Sequence, residues 1–189
     1  FVLSGGGARG AYEVGVLSYL FGDLARQLGG PPRIDILCGT SVGAINACYL
    51  AAHLSDSVVG VRRLADLWRG IQLDEMLGFS LKQAFSIPKL LRGGDQAIGL
   101  VDVTPIANLV AREIPWTAIS RSLRRGELQS LSVTATEVST GRTVLFVQTG
   151  PDGALPITAP PRTVLRSERI GPPHALASAA IPLIFPPVR

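Results

Sequence analysis

Lysine is nearly missing from this chain. Its 189 residues carry 18 basic side chains against 14 acidic ones, yet only Lys82 and Lys89 are lysines. The arginines are scattered, with no dense run and no interleaved aromatic stripe, so the net charge of +4 does not describe a nucleic-acid surface. The same charge could assist docking on anionic lipid, although scattered arginine is also what biased genome composition produces. Cysteine is equally scarce. Cys38 and Cys48 make neither a disulfide framework nor a zinc pattern and read as small apolar residues in a reducing compartment. No apolar run reaches the length of a membrane span, and no secretory signal precedes the first apolar run. The expected location is therefore cytoplasmic or peripheral at a membrane. With 47% apolar and 17% charged residues, the composition is that of a soluble α/β domain of ordinary size. The chain starts inside a strand-like run at Phe1 and stops just after Phe185-Pro186-Pro187, so it is expected to be a segment of a longer protein.

Glycine, by contrast, is abundant and concentrated where it matters. Gly5-Gly6-Gly7-Ala8-Arg9-Gly10 follows the apolar run Phe1-Val2-Leu3, and Gly39-Thr40-Ser41-Val42-Gly43 follows Ile34 to Cys38. Each is followed by a helical pattern. Small residues around Ser41 permit a sharp strand-to-helix turn that pushes one hydroxyl out of the chain, with a helix N-terminus behind it. The first loop offers unpaired N–H groups at a helix start, which is what a developing oxyanion needs. Ser41 is thus the candidate nucleophile, and Gly39, Thr40, Val42 and Gly43 its elbow.

Around these loops the periodicity predicts alternating strands and helices. A helix is expected over 11–28, ended by Gly29-Gly30-Pro31-Pro32, then a strand over 34–38 and a helix over 42–54. Ser55-Asp56 can cap a further helix to about Trp68. Phe79 to Phe85 and Pro88 to Arg92 mix apolar and basic residues, as either an interfacial cap over a lipid site or a surface helix pair broken by Pro88. Thr104-Pro105 reads as a helix start running to Glu113, and Ser122 to Arg125 as the end of another helix, closed near Gly126. Leu131 to Glu137 and Thr143 to Gln148 read as a hairpin turned by Ser139-Thr140-Gly141. Pro151 to Pro161 reads as loop and His174 to Ala180 as a short helix.

Gly5, Gly7 and Gly10 also satisfy the spacing of a dinucleotide loop. That chemistry needs an acidic residue at the carboxyl end of the second strand, where Cys38-Gly39-Thr40-Ser41 stands instead; Asp35 comes too early. A serine nucleophile needs a base. His53 lies 12 positions after Ser41, a rise of roughly 18 Å along one helix, and cannot reach back. His174 could complete a triad only if the fold brings it in, which makes a carboxylate base the better candidate.

The two glycine motifs, together with Ala177-Ser178-Ala179-Ala180-Ile181-Pro182, Phe185-Pro186-Pro187 and the Asp102-Val103-Thr104-Pro105-Ile106 segment, resemble the patatin-like phospholipase family across the whole chain. The resemblance implies a three-layer α/β/α sandwich with a mainly parallel central sheet, 1–189 being one acyl hydrolase domain truncated before its C-terminal Asp-Gly motif. It implies cleavage of fatty acyl esters of phospholipids or other lipids by a Ser-Asp dyad, with no metal and no cofactor. Ser41 is then the nucleophile and Gly5, Gly6, Gly7, Ala8, Arg9 and Gly10 the oxyanion-hole loop, with Gly6, Gly7 and Ala8 as the leading donors. The partner aspartate is expected beyond Arg189, because the internal Asp152-Gly153 precedes the Ala-Ser-Ala-Ala-Ile-Pro block and reads as a turn. The implied partner is a lipid substrate at a membrane surface. The alternatives are a non-catalytic lipid-binding domain on the same scaffold and, less favoured, a dinucleotide-binding domain.

Overall fold

A computed structural model describes residues 1–70, 104–151, 153, 160–180 and 188. The first strand, β1 (Val2–Leu3), leads through the glycine loop into α1 (Gly10–Tyr19). This helix continues as a π-helical stretch at Leu20–Leu24 and a last turn, α2 (Ala25–Leu28). Gly29 stops it in the left-handed conformation at φ 78°, and the Gly30 N–H closes onto the Ala25 carbonyl at 2.8 Å. A residue without Cβ takes that conformation at no steric cost. Next come β2 (Ile36–Thr40), α3 (Val42–Ala52) and α4 (Ser57–Gly70). After them stand α5 (Thr104–Glu113), α6 (Trp116–Arg124), β3 (Ser130–Thr136), β4 (Thr143–Thr149), β5 (Thr163–Ser167) and α7 (Pro172–Ala179).

The five strands form one sheet in the order β1-β2-β3-β4-β5. All neighbours are parallel except the β3–β4 hairpin. Helix crossovers between β1, β2 and β3 require the parallel pairing, because a parallel neighbour cannot be reached by a tight turn. The mostly parallel sheet and its flanking helices make the α/β/α sandwich.

Helix α3 is the centre of the molecule. It packs on β1, β2 and β3 and touches α1, α4, α6 and α7, and every residue except Val42 and Ile45 is buried. A helix surrounded on all sides must be small or apolar all round, and Ala44, Ala47, Cys48, Leu50 and Ala51 meet that demand. Against it stand Leu37 of β2 and Leu131 and Val133 of β3, all fully buried. Burial pushes the Cys48 thiol up to about 12, which keeps it protonated and inert at neutral pH. In the folded protein Cys48 should therefore resist iodoacetamide at neutral pH and become alkylated only after denaturation, as read by mass spectrometry of the peptide. Fast alkylation of Cys48 in the native state would mean that α3 is not enclosed.

Several boundaries differ from the sequence reading. The second strand runs two residues later at both ends. Its ladder with β3 starts at Ile36 opposite Ser130 and ends at Thr40 opposite Thr134. Just before the ladder, the Asp35 carbonyl accepts from the Gln129 N–H at 2.8 Å, a bond that ties the two segments together without extending the strand. The helix after Ser41 ends at Ala52 rather than Leu54, since His53 leaves helical geometry at φ −117° and Leu54–Asp56 forms a separate 3-10 turn. Asp56 then caps α4, accepting from the Val59 N–H at 3.4 Å. Strand β5 does not stand out in the sequence, because five residues lying between prolines and charges carry too little alternation. Helix α7 starts two residues before His174, with Pro172 in its first turn. Phe79 to Phe85 and Pro88 to Arg92, read as either an interfacial cap or a surface helix pair, lie outside the described residues, as do Asp102, Val103, Asp152 and the Phe185-Pro186-Pro187 segment. Gly153 is described, and its N–H closes a turn onto the Gly150 carbonyl at 3.1 Å. Among the described residues no helix is long and apolar enough to cross a membrane.

Candidate active site

The register that pairs Val2 with Cys38 and Leu3 with Gly39 brings the carboxyl ends of β1 and β2 side by side. Both glycine motifs therefore leave the sheet at the same edge, where parallel α/β sheets place their sites. Ser41 sits between β2 and α3 with φ 55° and ψ −127°, a left-handed backbone that a residue with a side chain rarely adopts. Such strain costs roughly 1–3 kcal/mol and persists only where the surroundings hold it.

Those surroundings need glycine at two places. A Cβ on Gly39 would stand 2.5 Å from the Ala44 Cα, and one on Gly43 would stand 2.3 Å from the Leu3 carbonyl oxygen. The first turn of α3 is thus pressed onto both β2 and β1. Gly5 marks the approach of the first loop: a Cβ there would lie 3.2 Å from the Ser41 Cβ and 3.9 Å from its Oγ. The loop backbone passes directly beside the hydroxyl.

Within that loop, Gly7 has φ 55°, and Gly7–Arg9 forms one 3-10 turn. The Arg9 N–H donates to the Gly6 carbonyl at 3.1 Å, and the Gly10 N–H turns back toward Gly7 and Ala8. The Arg9 and Gly10 N–H groups are thus turned back into the loop itself. The N–H groups of Gly6, Gly7 and Ala8 have no such partner among the described residues.

A polar network missed by the sequence reading braces the loop from behind. Glu13 accepts from the Ser4 N–H at 2.5 Å and from Asn46 Nδ2 at 3.3 Å. Asn46 also donates to the Gly10 carbonyl at 3.3 Å and accepts from Trp68 Nε1 at 3.0 Å. Asn46 is fully buried, so these bonds offset its desolvation and join the first loop to α3 and α4. The only available signal was one amide inside a helix of small apolar residues. Ser178, from the Ala-Ser-Ala-Ala-Ile-Pro block, accepts from the Ser41 N–H at 2.7 Å.

Neither histidine is joined to Ser41. His53 Nδ1 donates to the Tyr49 carbonyl at 2.8 Å and its ring stacks on Tyr49 at 4.2 Å, at the far end of α3. His174 Nδ1 accepts from the Gly171 N–H at 2.9 Å at the start of its own helix, and its Nε2 lies 3.6 Å from Glu168. Among the described residues no carboxylate or imidazole is hydrogen-bonded to Ser41 Oγ, and no group of three or more His, Cys, Asp and Glu is placed to hold a metal ion.

A family model described as Patatin-like phospholipase matches residues 1–189. No curated protein sequence matches. Two solved structures are similar. One is the heterodimeric ExoU–SpcU complex from the type III secretion system of Pseudomonas aeruginosa, at 23% identity and a TM-score of 0.41, over 78% of this chain and 32% of that one. The other is the type III effector protein ExoU, at 23% identity and a TM-score of 0.38, over 77% and 34%. The chain thus spans about a third of the length of these proteins.

Proposed function

Because the chain belongs to the patatin-like phospholipase family, we propose that residues 1–189 form one lipid acyl hydrolase domain with Ser41 as nucleophile. The observation that carries this reading is the backbone of Ser41: a strained non-glycine turn at φ 55°, set beside the glycine loop. In the proposed reaction, Ser41 Oγ attacks the carbonyl carbon of a fatty acyl ester while its proton passes to a carboxylate. The carbonyl oxygen becomes an oxyanion held by the N–H groups of Gly6, Gly7 and Ala8. Collapse of the tetrahedral species breaks the ester C–O bond and returns the proton to the departing alcohol, leaving an acyl-serine. Water, deprotonated by the same carboxylate, then releases the fatty acid and restores Ser41. The base is the aspartate of an Asp-Gly pair outside this sequence, and both histidines are left to the structural bonds described above.

Pre-organised donors matter because they need no reorientation when charge develops, and losing one costs about 100–1,000-fold in rate. The test is labelling of the full-length protein with a fluorophosphonate, which reacts only with an activated serine. The expected result is one adduct, located on Ser41 by peptide mass spectrometry. Absence of an adduct, with binding to phospholipid vesicles retained, would instead favour a non-catalytic lipid-binding domain. Saturable NAD binding would revive the dinucleotide reading.

A further inference from the structure

Ser178 stands where the last turn of α7 crosses the carboxyl ends of β2 and β3. Its Oγ lies 2.7 Å from the Ser41 backbone nitrogen and 2.5 Å from the Thr134 carbonyl oxygen. The two partners fix its orientation. A carbonyl can only accept, so the hydroxyl hydrogen goes to Thr134, and an oxygen lone pair receives the Ser41 N–H. We infer that Ser178 is a positioning residue that clamps the backbone of the nucleophile elbow. This inference rests on the reading of Ser41 as nucleophile.

Three features support the clamp. Thr134 is the register partner of Thr40, so the bond ties the residue just past the end of β2 sideways to β3. Ser41 is held at φ 55°, a geometry that relaxes unless something fixes it. Helix α7 is itself anchored, by the Ile170 N–H bond to Gln148 Oε1 at 2.9 Å just before it, by the edge contact of His174 with the Phe146 ring and by the fully buried Ala175 at its centre. Ser178 therefore hangs from a fixed support. The arrangement also removes the Ser41 N–H from the groups open to an oxyanion.

Ser178→Ala in the full-length protein removes the acceptor and leaves the Ser41 N–H free to exchange and the elbow free to drift. A misplacement of about 1 Å costs on the order of 100-fold. The expected result is a fall of about that size in kcat and in the rate of fluorophosphonate labelling, with KM nearly unchanged. Ser178→Thr, which keeps the hydroxyl, should recover most of the loss. Hydrogen exchange supplies a readout independent of turnover: the Ser41 amide should be protected in the wild type and in Ser178→Thr and lose protection in Ser178→Ala. Labelling of Ser178→Ala at the wild-type rate, or an unchanged Ser41 amide, overturns the clamp. Wild-type protein that never labels while its Ser41 amide is protected by Ser178 overturns the nucleophile reading and not the bond.

Discussion

Ser41→Ala in the full-length protein is expected to lower kcat for a short-chain nitrophenyl ester on the order of 10⁶-fold, the scale seen when a serine hydrolase loses its nucleophile. Alanine keeps the Cβ, and so keeps the strained backbone and the packing of α3 while deleting Oγ. Folding should therefore survive, and the loss should be one of chemistry. Ser41→Gly separates the two roles of this residue. Glycine adopts this left-handed backbone without steric cost, relieving roughly 1–3 kcal/mol of strain against an added unfolded-state entropy of about 0.4–1 kcal/mol. The glycine variant should be equally inactive yet melt about 2–4 °C above the alanine variant. Hydrolysis at the wild-type rate by Ser41→Ala would remove this residue from the chemistry. A glycine variant that melts below the alanine variant would show that the turn stores less strain than the roughly 0.4–1 kcal/mol of added unfolded-state entropy.

Gly43→Ala should be the most damaging single methyl in the described structure. Its Cβ would meet the Leu3 carbonyl at 2.3 Å and the Ser4 carbonyl at 2.6 Å. Both are backbone atoms at the point where β1 enters the glycine loop, so neither can rotate away as a side chain does. Relief requires moving the start of α3 away from β1, which also separates Ser41 from Gly5. The expected destabilisation is about 3 kcal/mol, at the upper end for overpacking, with a melting temperature lower by about 6–12 °C and esterase activity largely gone. Gly15→Ala is the control. It lies in α1, where an added Cβ meets nothing within 4 Å, and alanine there should leave stability unchanged or raise it by about 1 kcal/mol. Equal melting of the Gly43 and Gly15 variants would refute the close approach.

Much of the arrangement was legible beforehand because it is local. The helix ended by Gly29, the capped start of α4 and the β3–β4 hairpin are each written within a few consecutive residues. The elbow was legible for the same reason, since small residues between an apolar run and a helical pattern permit few other geometries. Glu13, Asn46, Trp68 and Ser178 were not legible as site residues. Their partners lie 9, 33, 22 and 137 positions away, and no periodicity reports a hydrogen bond between distant segments.

By itself the sequence determined the alternation of strands and helices, the two glycine turns and the serine inside the second, because backbone sterics and hydrophobic spacing act over a few residues. Only the tertiary structure decided which loop backbone passes beside Ser41, which N–H groups of that loop are turned back into it, and that Ser178 holds the elbow from α7. Those depend on the parallel pairing of β1, β2 and β3, which brings together segments far apart in the chain.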